Sequence, residues 1–312
     1  MKPIVTITLN PSVDADSETD TVQHTRKIRT SNEIFDPGGG GINVARMIAE
    51  LGGPAIAIYL AGGPIGTVFD TLVEARGIPA RRIDIADTTR ISHTVRERST
   101  GQEYRFVPEG PELKAEECRR LAEALDETDC DYLVASGSLP RGVPRDFYAR
   151  LAAQARERKV RFVLDTSGES LRVAVEAGGL FLAKPSLGEF ETLVGRKLPE
   201  SAAQHEAALS LVRARKVELL AVTLGHHGAF LAHRDGVLRL PALDVKPVSA
   251  VGAGDSFVGA MVLGLAQGKA RDEAFRLGMA AGTAAVITPG AELAKRAEVE
   301  RLFAEFRALE GV

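Results

Sequence analysis

Val160-Arg161-Phe162-Val163-Leu164, followed at once by Asp165-Thr166-Ser167, is a short apolar run that ends in a polar triplet. The same figure recurs on either side: the run at 132–135 leads into Ser136-Gly137-Ser138, and the run at 180–183 into Lys184-Pro185-Ser186. Around these runs the pattern predicts helices near 114–128, 144–159 and 169–177. Short apolar strands alternating with helices imply an α/β fold with a parallel sheet covered on both faces. Ligands in such folds bind outside the carboxyl ends of the strands, so the three triplets mark one edge of a candidate site.

Working outward, strands are expected at 4–9, 55–61, 83–85 and 219–224, and helices at 42–51, 66–76, 187–194, 201–215, 257–267, 271–287 and 296–309. Hairpins are expected where 91–98 meets 102–107 across Ser99-Thr100-Gly101, and where 229–233 meets 237–240 around Asp235-Gly236. From Asp14 to Phe35 no helical period holds, which suggests short extended segments lying off the main body. One continuous domain over 1–312 is the simplest organisation.

The 312 residues are 45% hydrophobic and 26% charged, enough for a large core. A net charge of −3 and the lack of a basic patch give no electrostatic case for nucleic acid. No apolar run approaches the ~20 residues that span a bilayer, and the start lacks a signal-peptide pattern, so a cytoplasmic protein without membrane contact is expected. Cys118 and Cys130 lie in no metal spacing and read as free thiols. His226 and His227 lack spaced partners and read as loop residues.

Two glycine-rich stretches carry the chemistry. Ser249-Ala250-Val251-Gly252-Ala253-Gly254-Asp255-Ser256-Phe257 is a small-residue turn running into an apolar helical pattern. The start of a helix offers unpaired N–H groups and partial positive charge, and glycines let backbone approach a ligand closely. Asp255 is then either the base of a phosphoryl transfer or a residue favourably placed in the helix dipole. The second stretch, Asp36-Pro37-Gly38-Gly39-Gly40-Gly41, precedes a helix whose first turn holds Asn43, able to bond a hydroxyl. Arg90, entering its strand, offers a bidentate fork for phosphate.

These two stretches, in this order, together with Thr223-x-Gly225-x-x-Gly228, resemble the signatures of the ribokinase-like (pfkB) carbohydrate kinase family over essentially the whole chain. Asn10-Pro11-Ser12-Val13-Asp14, the run 37–45, Tyr104-Arg105-Phe106 and Ser136-Gly137-Ser138-Leu139-Pro140 look most like its minor bacterial branch, whose members phosphorylate the 1-hydroxyl of fructose 6-phosphate. The resemblance implies a ribokinase-like fold with a small β-sheet lid from about 15–35 and 90–108 that commonly pairs two subunits, here a homodimer. It implies ATP and Mg²⁺ as cofactors. Asp255 would be the base, and the Gly252, Ala253 and Gly254 amides would hold the transferring phosphoryl group. Ser12, Asp14, Gly39, Gly40 and Asn43 would hold the sugar, and Arg90 with Ser138 its phosphate. Lys184, Ser186, Thr223, Gly225 and Gly228 would surround ATP, and Glu189 would organise the water shell of Mg²⁺. A K⁺ site would use carbonyls of Ser249, Val251, Ala285 and Gly290.

The chain departs from the family at Ser186, where Asn is common, and at Ala250, where Thr is usual. Kinases of fructose 1-phosphate or tagatose 6-phosphate usually carry Lys in the third place of the glycine run, where Gly40 stands. A nucleoside kinase would leave Arg90 without an anionic partner. A non-catalytic sugar-phosphate sensor is the alternative from another class, and retained Asp255 and Gly254 argue against it. A Rossmann dehydrogenase is disfavoured because neither run gives Gly-x-Gly-x-x-Gly after the first strand.

Overall fold

The structure, a computed structural model, describes residues 1–288 and 293–309. Its strands are β1 (Ile4–Thr8), β2 (Ser12–Thr19), β3 (Ser31–Gly38), β4 (Ala55–Ala61), β5 (Ala80–Asp84), β6 (Arg90–Glu97), β7 (Glu103–Phe106), β8 (Tyr132–Ser136), β9 (Arg161–Asp165), β10 (Leu180–Ala183), β11 (Val217–Thr223), β12 (Ala229–His233) and β13 (Gly236–Leu240). Its helices are α1 (Gly40–Glu50), α2 (Gly63–Ala75), α3 (Ala115–Asp126), α4 (Phe147–Glu157), α5 (Gly168–Ala177), α6 (Leu187–Val194), α7 (Ser201–Arg213), α8 (Ala253–Ala266), α9 (Arg271–Val286) and α10 (Arg296–Ala308).

Nine strands form one sheet in the order β13-β12-β11-β10-β9-β8-β1-β4-β5. Pairing is parallel from β11 through to β5, and β12 and β13 add an antiparallel edge. The central strands are buried along their whole length, as the apolar runs required. Successive side chains leave opposite faces of a strand, and the two cores follow that alternation. Ile4, Tyr132 and Val134 pack with α1, α8, α9 and α10, while Val5, Leu133 and Ala135 pack with α3, α4, α5 and α7. From β1 the chain builds outward through β4 and β5 on one side and from β8 on the other. The gap between the carboxyl ends of β1 and β8 is therefore the switch point where such sheets bind ligands.

The segment read as short extended pieces is more regular than its polar composition suggested. β2 pairs antiparallel with β3 and parallel with β6, and β6 pairs with β7, giving a separate four-stranded sheet in the order β3-β2-β6-β7. Asp36, Pro37 and Gly38 belong to β3 and not to a loop before α1, because ladder pairing to Asp14, Val13 and Ser12 extends the strand to the glycine run. The helix at 144–159 begins only at Phe147, the one at 66–76 starts earlier at Gly63, and α8 starts at Ala253, four residues before Phe257.

A buried ionic cluster ties the second sheet to the helices below it. Asp36 of β3 is 5% exposed and meets Arg46 of α1, 7% exposed, at 3.5 Å, and also meets Arg76, which follows α2. Removing one partner of a buried pair leaves the other charge uncompensated. Asp36→Ala is expected to cost about 3–5 kcal/mol of unfolding free energy in a urea titration. A loss under about 1 kcal/mol would mean that the cluster carries little of the attachment.

Candidate active site

The site forms where the carboxyl ends of β1, β8, β9 and β10 meet the starts of α1 and α8. Gly252 caps α8 in the left-handed region (φ 70°), so the chain turns there into the first helical turn, where the Ala253 N–H donates to the Ala250 carbonyl at 3.5 Å. Asp255 sits in that first turn. Its Oδ2 accepts from Asn43 Nδ2 at 2.9 Å and its Oδ1 from Ser136 Oγ at 3.0 Å. The two glycine-rich stretches, 212 residues apart in sequence, thus meet at one carboxylate.

Close backbone approach is enforced at Gly40, the first residue of α1. A Cβ there would fall well inside contact distance of Ser136 Oγ and near its backbone carbonyl carbon. At Gly254 a Cβ would lie 3.2 Å from Lys184 Nζ, so the ammonium rests against the first turn of α8. Lys184 is buried and pairs with Asp165 at 3.1 Å, and Ser136 Oγ lies 3.5 Å from the other Asp165 oxygen. Asn43, Asp255, Ser136, Asp165 and Lys184 form one connected chain across α1, α8, β8, β9 and the end of β10.

Burial pushes the Asp255 carboxyl up to about 6, and the Asp165 charge adds to the shift against the opposing donors Asn43 and Ser136. Burial also holds Asp165 above its ordinary value, although Lys184 pulls the other way. Burial lowers the Lys184 ammonium, but the Asp165 charge outweighs it and carries the group above its ordinary value.

Beside this chain, Ser12 at the start of β2 donates to Asp14 Oδ1 at 2.6 Å. Burial holds the Asp14 carboxyl above its usual range despite that donor. Asp14 and Asn43 line a small cavity with Arg46, Val251, Gly252, Ser256 and Ala285. Gly39 caps α1 with φ 116°. Arg90 donates to the carbonyls of Asn10 and Pro108, both at 2.8 Å, and Ser138 Oγ lies 3.4 Å from Asn10 Nδ2, so both stand beside the loop after β1.

A larger cleft of about 640 Å³ opens on the other side of Gly254. Thr223, Gly225, His226, Gly228, Ala253, Phe257, Gly282 and Thr283 are among the residues lining it. Gly228 takes φ 89° where a Cβ would strike the Leu240 carbonyl, which explains that glycine. Ser186 bridges to Thr223 and caps α6: Glu189 N donates to its hydroxyl at 3.4 Å while Glu189 Oε2 accepts from Ser186 N at 2.7 Å. That capping box gives both residues a local structural task in addition to any ligand. The His226 and His227 rings lie tilted against each other with centroids 3.8 Å apart, and of the two His226 lines the cleft.

Among the described residues no group of three or more His, Cys, Asp or Glu could hold a metal ion. A nucleotide-borne Mg²⁺ keeps most of its water and needs only one or two carboxylates, and Glu189 in the first turn of α6 is the carboxylate that could serve it. Ser249 is buried with its hydroxyl accepting from Val251 N at 3.2 Å, and its own N–H donates to the Val286 carbonyl at 3.1 Å, beside Ala285. Gly290, expected with them, lies outside the described residues. Cys118 and Cys130 are free thiols, and no described helix is long and apolar enough to cross a membrane.

Sequence reading placed Ser136 and Asp165 at strand ends and gave neither a role. The structure brings both into the carboxylate chain. The available signal was positional: each is the last residue of a parallel strand, next to the switch point.

The family is established by comparison. A pfkB family carbohydrate kinase model matches residues 5–297, and the chain belongs to that family. Among its relatives, the ATP-dependent 6-phosphofructokinase isozyme 2 of Mycobacterium tuberculosis is 41% identical over 302 residues, covering 96% of this chain and 88% of that protein. Structures of phosphofructokinase-2 from Escherichia coli in complex with fructose-6-phosphate and with potassium are similar with TM-scores of 0.93 and 0.95. Both are 37% identical and cover 98% of this chain and 100% of theirs.

Gly40→Ala is expected to lower the urea unfolding midpoint, by overpacking worth about 1–3 kcal/mol, through displacement of Ser136. An unchanged midpoint would show that the start of α1 can shift without cost.

Proposed function

We propose that this protein is an ATP-dependent kinase of fructose 6-phosphate that transfers the γ-phosphoryl group to the sugar 1-hydroxyl. The observation carrying this reading is the Asp255 carboxylate, held by Asn43 and Ser136 in the first turn of α8. Phosphoryl transfer asks the protein mainly for alignment and charge stabilisation. The amides of Gly252, Ala253 and Gly254 supply fixed dipoles toward the group in flight. Asp255 orients the acceptor hydroxyl and takes its proton as the bond forms.

Ser12, Asp14, Gly39, Gly40 and Asn43 form the sugar pocket, with Arg90 and Ser138 toward its phosphate. The cleft lined by Thr223, Gly225 and Gly228 takes the nucleotide, with Lys184 and Ser186 toward its phosphates. Mg²⁺ carried by the nucleotide neutralises phosphate charge, and Glu189 orients its water shell. A monovalent cation, K⁺, would rest on carbonyls near Ser249, Val251 and Ala285.

The second sheet serves as a lid over the sugar pocket, because Ser12 and Asp14 lie on β2 and Arg90 opens β6. A lid excludes water that would otherwise compete as acceptor. Most of the exposed large hydrophobic side chains gather in the same sheet or beside it, including Ile34 (49%), Phe35 (51%), Phe106 (61%) and Val107 (54%). Their concentration favours a homodimer formed through the lid.

The substrate is tested by ADP release over a panel of sugars, sugar phosphates and nucleosides. Strongest turnover is expected with fructose 6-phosphate. Preference for fructose 1-phosphate or tagatose 6-phosphate would reassign the substrate within the family, and preference for a nucleoside would overturn the sugar-phosphate pocket. Asp255→Asn is expected to lose ~10²–10⁴ in kcat, the usual cost of removing a general base. Full activity in that variant would remove Asp255 from the role.

The pH dependence follows from the raised carboxyl. The base works ionised, so kcat/KM is expected to level off above about pH 7 and to fall as pH drops through about 6. An acid limb below about pH 4.5, in the ordinary carboxylate range, would contradict the environment described for Asp255.

A further inference from the structure

The hydroxyl of Ser136 stands between two carboxylates that have different partners. It lies 3.0 Å from Asp255 Oδ1 and 3.5 Å from Asp165 Oδ2. Ser136 is 2% exposed, so water cannot readily take either place. A serine has one O–H and can donate to one acceptor at a time. The shorter distance gives the proton to Asp255.

Asp165 does without it because Lys184, itself 6% exposed, neutralises it at 3.1 Å. Lys184 also stands against the first turn of α8, at 3.2 Å from a Cβ placed on Gly254. The ammonium therefore lies within a short side-chain movement of any phosphate bound at the α8 amides. An anion there would compete with Asp165 for it.

We propose that Ser136 is a positioning residue that senses the occupancy of the nucleotide cleft: when nucleotide phosphate draws Lys184 from Asp165, the Ser136 hydroxyl turns from Asp255 to Asp165. This rests on the reading of the cleft as a nucleotide site and of Asp255 as the base. The consequence is directional. Asp255 loses a donor that stabilised its charge and faces a less compensated neighbour, so its affinity for a proton rises. The base becomes stronger once the phosphoryl donor is in place. Without nucleotide it stays pinned by two donors, Asn43 and Ser136.

The charged and titratable groups around this exchange are few. Asp255 comes from α8, Asp165 from β9 and Lys184 from the end of β10. Glu189 of α6 contributes a more distant negative charge, and Tyr148 of α4 donates its hydroxyl to the Gly137 carbonyl at 3.1 Å and feels Asp165. Arg46 of α1 lines the neighbouring sugar pocket and is held by Asp36. None of these except Lys184 is placed to neutralise Asp165 directly.

The test reads the carboxylates and not turnover. Protein labelled with [¹³C]carboxyl aspartate is titrated by NMR, with the Asp255 resonance assigned by its loss in Asp255→Asn. Ser136→Ala removes one oxygen from a packed position, and an unchanged far-UV spectrum and unfolding midpoint check that it folds. In the free protein, Ser136→Ala is expected to raise the Asp255 midpoint by roughly one pH unit, the scale of one hydrogen bond to a charged group.

Saturation with Mg²⁺ and the β,γ-methylene analogue of ATP is then expected to raise the wild-type midpoint toward that of the variant, and to move the variant distinctly less. Equal movement of both would assign the shift to the field of the phosphates and overturn the switch. No movement in wild type would overturn it as well. As a second variant, Lys184→Met is expected to show the raised midpoint already without nucleotide. If Asp255→Asn retains activity while these shifts appear, the base assignment fails and the hydrogen-bond exchange stands. If activity is lost as expected and the shifts are absent, the exchange fails and the base assignment stands.

Discussion

A carboxylate that keeps its charge inside protein needs donors fixed in advance, and Asp255 has two that come from opposite ends of the chain's construction. Asn43 arrives on α1, which leaves the tip of β3, and Ser136 arrives at the end of β8. Both are in reach only because β1 and β8 are neighbours although more than a hundred residues separate them. The parallel sheet thus does more than bury apolar surface. Its order places the starts of α1 and α8 against one another, and the desolvated acid joins them through Asn43. Strand order, the Gly40 approach and the Lys184–Asp165 pair all serve this one contact.

Fold class was legible because the central strands are short, largely apolar runs with aliphatic residues toward both faces, which a sheet with a wet face does not produce. The runs at 55–61 and 180–183 and the helix at 187–194 match β4, β10 and α6 residue for residue. Boundaries failed where local sequence is silent and pairing decides. Asp36-Pro37-Gly38 reads as a break, yet ladder bonds to β2 carry the strand through it. The polar region 14–35 reads as irregular because its strands lie on a small sheet with little apolar burial to imprint an alternation.

The site was partly legible for a different reason. Gly40 leaves a mark in sequence because nothing larger fits against Ser136, and Gly254 because a Cβ there would crowd the Lys184 ammonium. Ser136, Asp165, Asp36 and Arg46 leave none, since a serine or a charged residue on a strand or helix is common, and only the fold shows what each one faces. Ser186 and Glu189 illustrate the converse. Their spacing suits a helix cap as well as a ligand contact, and the structure shows the cap in place.

The outer margins of the nine-stranded sheet have a consequence for how the protein behaves in a crowded solution. An unpaired strand edge is a template onto which another chain can add. Here one margin is β13, half-exposed along most of its five residues, and the other is β5, whose Arg81, Arg82 and Asp84 are charged and engaged in ion pairs with Glu127 and Asp70 or with each other. Desolvating those charges would oppose strand addition at β5. The exposed aromatic and aliphatic side chains stand mostly elsewhere, on the small sheet or beside it.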